Sequence, residues 1–188
     1  MQQANFKVVL DACVLANARV CDLYLRLAEG PRLFLPRWSI EILKEVTRTQ
    51  ITKLKRPYSS ELAAHWRGEV MAAFPEALIE NYAHLVPLMN NHEKDRHVLA
   101  AAVREQASLI VTFNLKDFPP ESCEPWKVCV EHPEEYLLTL YSLSPAVVVA
   151  RLADMAKNQE TDVESMLLHL GKSVPRFAQH VLAEIRAR

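Results

Sequence analysis

The sequence lacks several features that would assign it to a protein class at once. No apolar run approaches the ~20 residues of a membrane-spanning helix, so no membrane association is expected. The chain leads straight into the apolar segment Phe6–Leu10, without the basic region and cleavage site of a signal peptide, which predicts a cytoplasmic location. The net charge is only −1, so any binding of nucleic acid would depend on local basic patches.

Cysteine is also scarce, and its spacing excludes a zinc-binding pattern. The four cysteines are Cys13, Cys21, Cys123 and Cys129. We expect them to be small buried hydrophobic residues of a reduced compartment rather than a disulfide framework. The sequence also contains neither internal repeats nor low-complexity segments.

What the chain does contain is a series of short apolar segments that alternate with helical patterns. Half of its 188 residues are hydrophobic, which favours one compact domain, with room for an appendage, over disorder. Such alternation indicates an α/β fold with a central parallel sheet covered on both faces. Strands are predicted at 6–10, 33–35, 85–89, 109–111 and 127–130, and helices at 14–27, 40–55, 60–74, 76–83, from 95 onward and at 133–140.

The pattern changes after Tyr141, where strand signals stop. Helices are predicted at 146–157, 162–170 and 174–187, each with an apolar stripe. We therefore divide the chain into an α/β domain, 1–140, and a C-terminal helical appendage, 141–188. The first helix of the appendage is expected to pack on the core and the last one to line a surface for a partner, so that a chain ending before Lys172 would still fold.

Three acids stand where strands end or helices begin. Asp11 follows the first strand, Asp95 starts the apolar stripe of its helix, and Asp117 follows the strand 109–111 together with Thr112 and Asn114. Binding sites in open α/β sheets form at the carboxyl ends of strands. Each acid also has a simpler explanation, because Asp11 and Asp95 could cap helices and Asp117 could satisfy its own turn.

The helix that follows Pro36 offers two further acids, Glu41 and Glu45, which share one face. Relative to Ile42, Glu45 lies about 60° away around the helix and Glu41 about 100° away, so Glu45 is slightly nearer the buried stripe. Glu41, in the first turn, is adequately explained as a charge that complements the helix dipole. The geometry alone leaves the choice between them open.

Three or four carboxylates in one place repel one another unless a cation neutralises them. Oxygen ligands of this kind suit Mg²⁺ or Mn²⁺, which can activate water against a phosphodiester. Basic residues crowd the helix after Pro36 and the start of the Asp95 helix, and we predict that Lys44, Arg48 and Arg96 hold the phosphates of a nucleic acid. A solvated helix face is the alternative. The sequence offers no dedicated histidine base near these acids except His97, which we expect on the far side of the helix start.

A set of motifs gives the chain a family resemblance. In order, VVLDACVL, SIEILKEV, EKDRHVLAAAV, LIVTFNLKDF and HPEEYL resemble the PIN-domain ribonucleases, and among them the toxin-type, VapC-like nucleases paired with antitoxins. The resemblance covers roughly residues 6 to 140 by position of the first and last motif, and leaves the appendage outside. It implies a three-layer PIN-like fold.

The resemblance also implies a function and a set of site residues. The implied activity is a Mg²⁺- or Mn²⁺-dependent endoribonuclease that leaves a 5′-phosphate and a 3′-hydroxyl and is inhibited by a cognate antitoxin; a second copy of the chain is a further candidate partner. The implied catalytic and metal-binding acids are Asp11, Glu45, Asp95 and Asp117, with Thr112 and Asn114 in support. Many relatives have an acid at the position of Asn114, so whether Asn114 or Asp117 faces the metal stays open. The alternative function is a PIN-like module that binds RNA or protein without cutting.

Overall fold

The centre of the molecule is a five-stranded, wholly parallel sheet. The computed structural model describes residues 5–30 and 32–187, and in these the strand order is β3-β2-β1-β4-β5. The predicted parallel α/β architecture is thereby confirmed. The strands are β1 Lys7–Leu10, β2 Leu35–Ser39, β3 Leu78–Ile79, β4 Leu109–Val111 and β5 Cys129–Glu131. The helices are α1 Ala12–Leu15, α2 Ala18–Glu29, α3 Ile40–Thr52, α4 Ser60–Ala73, α5 Arg96–Glu105, α6 Pro120–Cys123, α7 Pro133–Leu143, α8 Pro145–Asn158, α9 Val163–Leu170 and α10 Pro175–Arg186.

The two middle strands are buried on both faces. Val8, Val9 and Leu10 of β1 have no exposed surface, and β4 is as deeply buried. Continuous apolar strands of this kind require helices on each side of a parallel sheet. Helix α5 packs against β1, β2, β3 and β4, while α2 contacts β2. The sheet with its two covering layers is the fold that the sequence predicts.

The register of the central strands sets where polar residues emerge. Leu10 pairs with Val111, so β1 and β4 end side by side. The next residues, Asp11 and Thr112, therefore lie next to each other at the carboxyl edge. On the other side of β1, β2 ends at Ser39, whose hydroxyl accepts the Ile42 N–H and caps α3 as predicted.

The sequence prediction is wrong between residues 76 and 89. Leu78–Ile79 forms an edge strand paired with Trp38 and Ser39, where a short helix was expected. Residues 83–88 form a 3₁₀ helix containing Pro87, where an edge strand was expected. Burial of Ala77 and Ile79 against the sheet overrides the weak helical pattern, and Pro87 cannot donate to a strand ladder.

Strand β2 also differs from expectation, because it runs through Pro36 instead of stopping there. The Leu35 N–H donates to the Phe6 carbonyl on the β1 side, and the Trp38 N–H donates to the Ala77 carbonyl on the β3 side. Amides alternate between the two neighbours along a strand, so the nitrogen of Pro36 faces the β3 side ahead of the paired residues of β3. The missing N–H therefore costs the ladder nothing.

The C-terminal helices share the hydrophobic cluster of the sheet. Phe177 and Val181 of α10 are fully buried, and the same cluster includes Leu152 of α8 and Met166 of α9. Glu134 on α7 accepts hydrogen bonds from the backbone and guanidinium of Arg176. This packing argues against our expectation that the chain folds without α10. The division at residue 141 stays a prediction, and residues 1–4, 31 and 188 lie outside the described part.

Within the described residues no single helix has the length and apolarity to cross a membrane, although α7 and α8 would qualify together as a pair bent by 117°.

The cysteines only partly match their prediction. Cys21 and Cys123 are buried and Cys13 is partly exposed. Cys129 is exposed on the edge strand β5, where its side chain lies outside the core. The predicted helix 14–27 is interrupted, with Asn17 capping the start of α2.

Candidate metal centre and nucleic-acid interface

The carboxyl edge of the sheet opens into a broad cavity of about 920 Å³. The four acids proposed from the sequence all lie in its wall, although they are up to 106 positions apart in the chain (117 − 11). Asp11 follows β1, Glu45 projects from α3, Asp95 precedes α5 and Asp117 follows β4. The cavity is lined by Asp11, Ala12, Cys13, Ala16, Asn17, Glu45, Arg48, Thr49, Lys53, Leu54, His92, Lys94, Asp95, Asn114, Lys116 and Asp117.

Asp11 is the most deeply set of these acids, with 2% of its surface exposed. Its Oδ1 accepts the N–H of Ala12 at 2.6 Å, so the capping role considered from the sequence is real. Its Oδ2 accepts the hydroxyl of Thr112 at 2.7 Å and the thiol of Cys13 at 3.2 Å. Three donors hold one carboxylate in a fixed orientation, which leaves about one of its four acceptor directions for another ligand.

Asp95 and Asp117 form the second part of the site, together with His92. Each of these three residues offers one atom that could bind a metal ion, a ring nitrogen or a carboxylate oxygen, and the three atoms lie within 4.8 Å of one another. The side chain of Asp95 makes no hydrogen bond that caps α5 within the described chain, although it occupies the N-cap position. The capping explanation for Asp95 therefore fails, and its carboxylate is left facing the cavity beside His92 Nδ1 at 3.1 Å.

The electrostatics of Asp95 reflect this crowding. Burial raises the pKa of its carboxyl above the ordinary value of 3.8, and the negative charges of Asp11 and Asp117 raise it further. The hydrogen bond from His92 acts in the opposite direction without cancelling the increase. An acid that is destabilised by two neighbouring acids gains from any cation that enters between them.

Helix α3 separates the roles of its two acids. Glu45 lies in the cavity wall, and its Oε1 is 3.3 Å from His97 Nε2. Glu41 instead accepts a hydrogen bond from the hydroxyl of Tyr82 and lies 3.9 Å from the Lys44 amine. The Tyr82 contact lowers the pKa of Glu41, while burial opposes that shift. Of the two, only Glu45 lines the cavity, and among the described residues neither it nor Asp11 belongs to the close cluster of His92, Asp95 and Asp117.

His97 lies nearer to the acids than the sequence suggested. Its side chain is 15% exposed, and its Nε2 lies beside the Glu45 carboxylate of α3. Burial by itself would lower the pKa of His97, but the neighbouring Glu45 carboxylate, with the charges of Asp11 and Asp95, raises it above 6.5. His97 thus forms the outer support of Glu45.

Comparison with known proteins decides the family. No family model matches the chain, and no solved structure matches it. A Mycobacterium tuberculosis protein with the provisional name ribonuclease VapC50 is 38% identical over 134 residues, which are 70% of this chain and 76% of the relative. The chain belongs to the VapC-type PIN-domain family. The family resemblance stated from the sequence is confirmed, and with it the PIN-like fold.

The cations of this VapC-type protein gather on the rim of the cavity. Arg48 and Lys53 of the α3 segment and Lys94 and Lys116 of the two loops opposite are exposed and line it. Of the three basic residues predicted from the sequence, Arg48 is in this group. Lys44 lies beside Glu41, and the guanidinium of Arg96 donates to the Asn91 carbonyl. The position of Lys116 in the loop after β4 was the available signal that sequence reasoning missed.

Cys13 and His92 are further residues of the site that the sequence-based assignment missed. Besides its contact with Asp11, Cys13 Sγ accepts the N–H of Phe113 at 3.2 Å and lies 3.3 Å from Thr112 Oγ1. Burial and the charge of Asp11 raise the pKa of the thiol to about 12, so the sulfur carries a proton. The sequence signal for Cys13 is its position two residues after Asp11, but its contact with Thr112 depends on the pairing of β1 with β4. Both Asn114 and Asp117 line the cavity, and Asp117 is the one whose carboxylate joins Asp95.

Proposed function

We propose that this VapC-type protein is a metal-dependent endoribonuclease and the toxin of a toxin–antitoxin pair. The observation that carries the proposal is the convergence of Asp11, Glu45, Asp95 and Asp117 on one open cavity with a cationic rim. The name of the M. tuberculosis relative, a ribonuclease, supports the reaction class. The open shape of the cavity suits a polymer that enters from the side.

The donor set fits the divalent ion that we propose. Carboxylate oxygens are hard ligands of the kind that Mg²⁺ and Mn²⁺ prefer, and four of them carry enough charge to hold one or two ions. Asp11, Glu45, Asp95 and Asp117 would be the ligands. A bound ion would lower the pKa of a water molecule and stabilise the charge that develops on a phosphodiester.

The protein's own contribution is orientation. Cys13, Thr112 and the Ala12 amide fix Asp11, and His97 supports Glu45, so that the carboxylates need not reorganise when substrate arrives. In the proposed hydrolysis a water oxygen bonds to phosphorus, the bond from phosphorus to the 3′ oxygen breaks, and a proton from the water ends on that oxygen. The products carry a 5′-phosphate and a 3′-hydroxyl.

The rim cations are proposed to hold the RNA backbone. The acids would repel the phosphates of the substrate, and four exposed cations, Arg48, Lys53, Lys94 and Lys116, surround them. Binding through phosphates is electrostatic and independent of sequence. The rim therefore explains how RNA approaches an acidic centre, and leaves the choice of cleavage site to groups that contact bases.

The partner calls remain proposals. A cognate antitoxin is the partner that membership of the VapC-type family suggests, and it would act by blocking the cavity or removing a ligand from it. A homodimer and a cytoplasmic location are predictions from the sequence.

The test is incubation of the purified chain with defined RNAs in Mg²⁺ or Mn²⁺, with and without a chelator. The proposal expects fragments with 5′-phosphate and 3′-hydroxyl ends that appear only when the metal is free. Cleavage that persists in chelator, or fragments with 2′,3′-cyclic phosphate ends, would contradict it. Tight RNA binding with no cleavage in either metal would favour the non-cutting PIN-like module.

A further inference from the structure

The loop that precedes α5 brings an imidazole into the acidic cluster. His92 Nδ1 lies 3.1 Å from Asp95 Oδ2, and a donor atom of Asp117 lies within 4.8 Å of both. From these contacts we infer that His92 is a nitrogen ligand of the metal centre and gives this protein a preference for Mn²⁺ over Mg²⁺. The inference rests on the proposed function, since it adds a residue to the metal centre proposed there.

The separation of the donor atoms fits ligands of a single octahedral ion. Two neighbouring ligands at about 2.1 Å from an octahedral ion lie about 3.0 Å apart, and two opposite ligands about 4.2 Å apart. The distance between His92 Nδ1 and Asp95 Oδ2 is 3.1 Å, close to the value for neighbours. All three ligand atoms lie within 4.8 Å of one another, so the Asp117 carboxylate needs to move only slightly to reach the separations expected for ligands of one ion.

Backbone contacts hold the two loops of this cluster together. The N–H of His92 donates to the Asp117 carbonyl at 3.1 Å, and the Asn91 side chain donates to the same carbonyl at 3.3 Å. The Asp95 N–H donates to the His92 carbonyl at 2.9 Å. These bonds fix the distance between the two loops, so that the His92 side chain and both carboxylates stay within reach of one another.

The identity of the donor decides the metal preference. Imidazole nitrogen suits transition-metal ions, whereas Mg²⁺ takes oxygen ligands and water. Carboxylates bind both ions, so a nitrogen donor that Mn²⁺ accepts more readily than Mg²⁺ shifts the preference further toward Mn²⁺. The His92 side chain is half exposed, so it can turn toward an ion without unpacking the core.

The direct test is electron spin echo spectroscopy of Mn²⁺ bound to the intact chain, together with Mn²⁺ and Mg²⁺ dissociation constants from titration and competition. Wild-type protein should show ¹⁴N coupling to bound Mn²⁺. His92→Asn should lose that coupling and lower the Mn²⁺-over-Mg²⁺ preference by about tenfold, the lower end of the loss seen when a residue supporting a metal site is replaced. His92→Asp should restore tight binding of both ions without the coupling.

Two control variants separate His92 from other imidazoles. His97→Asn should keep the ¹⁴N coupling although His97 lies beside Glu45, and His65→Asn, an exposed change on α4, should leave both metal affinities unchanged. Bound Mn²⁺ without ¹⁴N coupling in wild type, or coupling retained in His92→Asn, would overturn the assignment while leaving metal-dependent cleavage intact. A chain that binds neither ion would refute the proposed function itself.

Discussion

Asp95 allows the crowding of the acids to be tested as a change in stability. The Asp95→Asn variant keeps the shape of the side chain and its contact with His92, but removes one charge from a site where Asp117 offers a donor atom within 4.8 Å. Two unit charges at that distance repel by about 1 kcal/mol in water and about 3.5 kcal/mol at an effective dielectric constant of about 20. The Asp95 side chain is 15% exposed, which places it between these limits.

We therefore expect metal-free Asp95→Asn to unfold with a free energy about 1–3 kcal/mol higher than wild type at pH 7. For a chain of this size each kcal/mol raises Tm by about 2–4 °C, which thermal unfolding in chelator resolves easily. The pKa of Asp95 is raised in the folded state, so the wild-type penalty is absent below about 3.8 and develops as pH rises through the raised value. The advantage of the variant should accordingly disappear in acid.

Saturating Mn²⁺ should reverse the order, because the ion stabilises the folded wild type and binds the variant less well. The matched control is Glu93→Gln, an exposed acid in the same turn, which should change Tm little under either condition. A metal-free Asp95→Asn variant less stable than wild type at pH 7 would refute the view that these carboxylates destabilise one another.

Three further predictions follow from the contacts of individual side chains. Glu45→Gln should lower the rate of RNA cleavage by at least about 10- to 100-fold, the cost of losing an outer-sphere metal contact. Glu41→Gln, which changes only the contacts with Tyr82 and Lys44 outside the cavity, should cleave nearly as wild type. Equal losses would show that the α3 register is misassigned. Cys13→Ala should weaken Mn²⁺ binding, measured by titration, by about tenfold, and Cys13→Ser should restore it. An unchanged affinity in Cys13→Ala would show that the thiol does not help to orient Asp11. Phe177→Ala should lower the free energy of unfolding in urea by about 3–5 kcal/mol, because its ring is fully buried. The control Leu168→Ala, at an exposed position, should lower it by less than about 0.5 kcal/mol. A small loss at Phe177 would show that α10 is separable from the core.

The parts of the fold that the sequence predicts well are those in which local pattern and tertiary burial agree. The short uncharged apolar run of β4 is typical of a buried strand, and the apolar residues of α5 recur at helical spacing. Ser39 caps the helix that follows it. All three are found where the sequence predicts them. Leu78–Ile79 has a helical pattern and becomes a strand because the edge of β2 is open to pairing. Information about that edge is not contained in the segment itself.

The residues of the site likewise divide into those indicated by the local sequence and those brought together by tertiary contacts. Asp11, Asp95 and Asp117 could be placed from their positions at strand ends and at a helix start, and the family resemblance added Glu45. Contacts between loops distant in sequence could not be derived in this way. His92 approaches Asp117 only because a backbone hydrogen bond joins their loops, and Cys13 reaches Thr112 only because β1 and β4 are neighbours.

The most direct test of the central claim compares RNA cleavage and RNA binding in Asp11→Asn. Its carboxylate accepts hydrogen bonds from Ala12, Cys13 and Thr112, and its amide replacement keeps the size of the side chain. With excess protein, Mn²⁺ and a labelled RNA, wild type should cut in a single turnover, whereas Asp11→Asn should bind the same RNA with similar affinity and leave it whole. Cleavage by Asp11→Asn at the wild-type rate would contradict the assignment of this cavity as a metal-dependent nuclease centre.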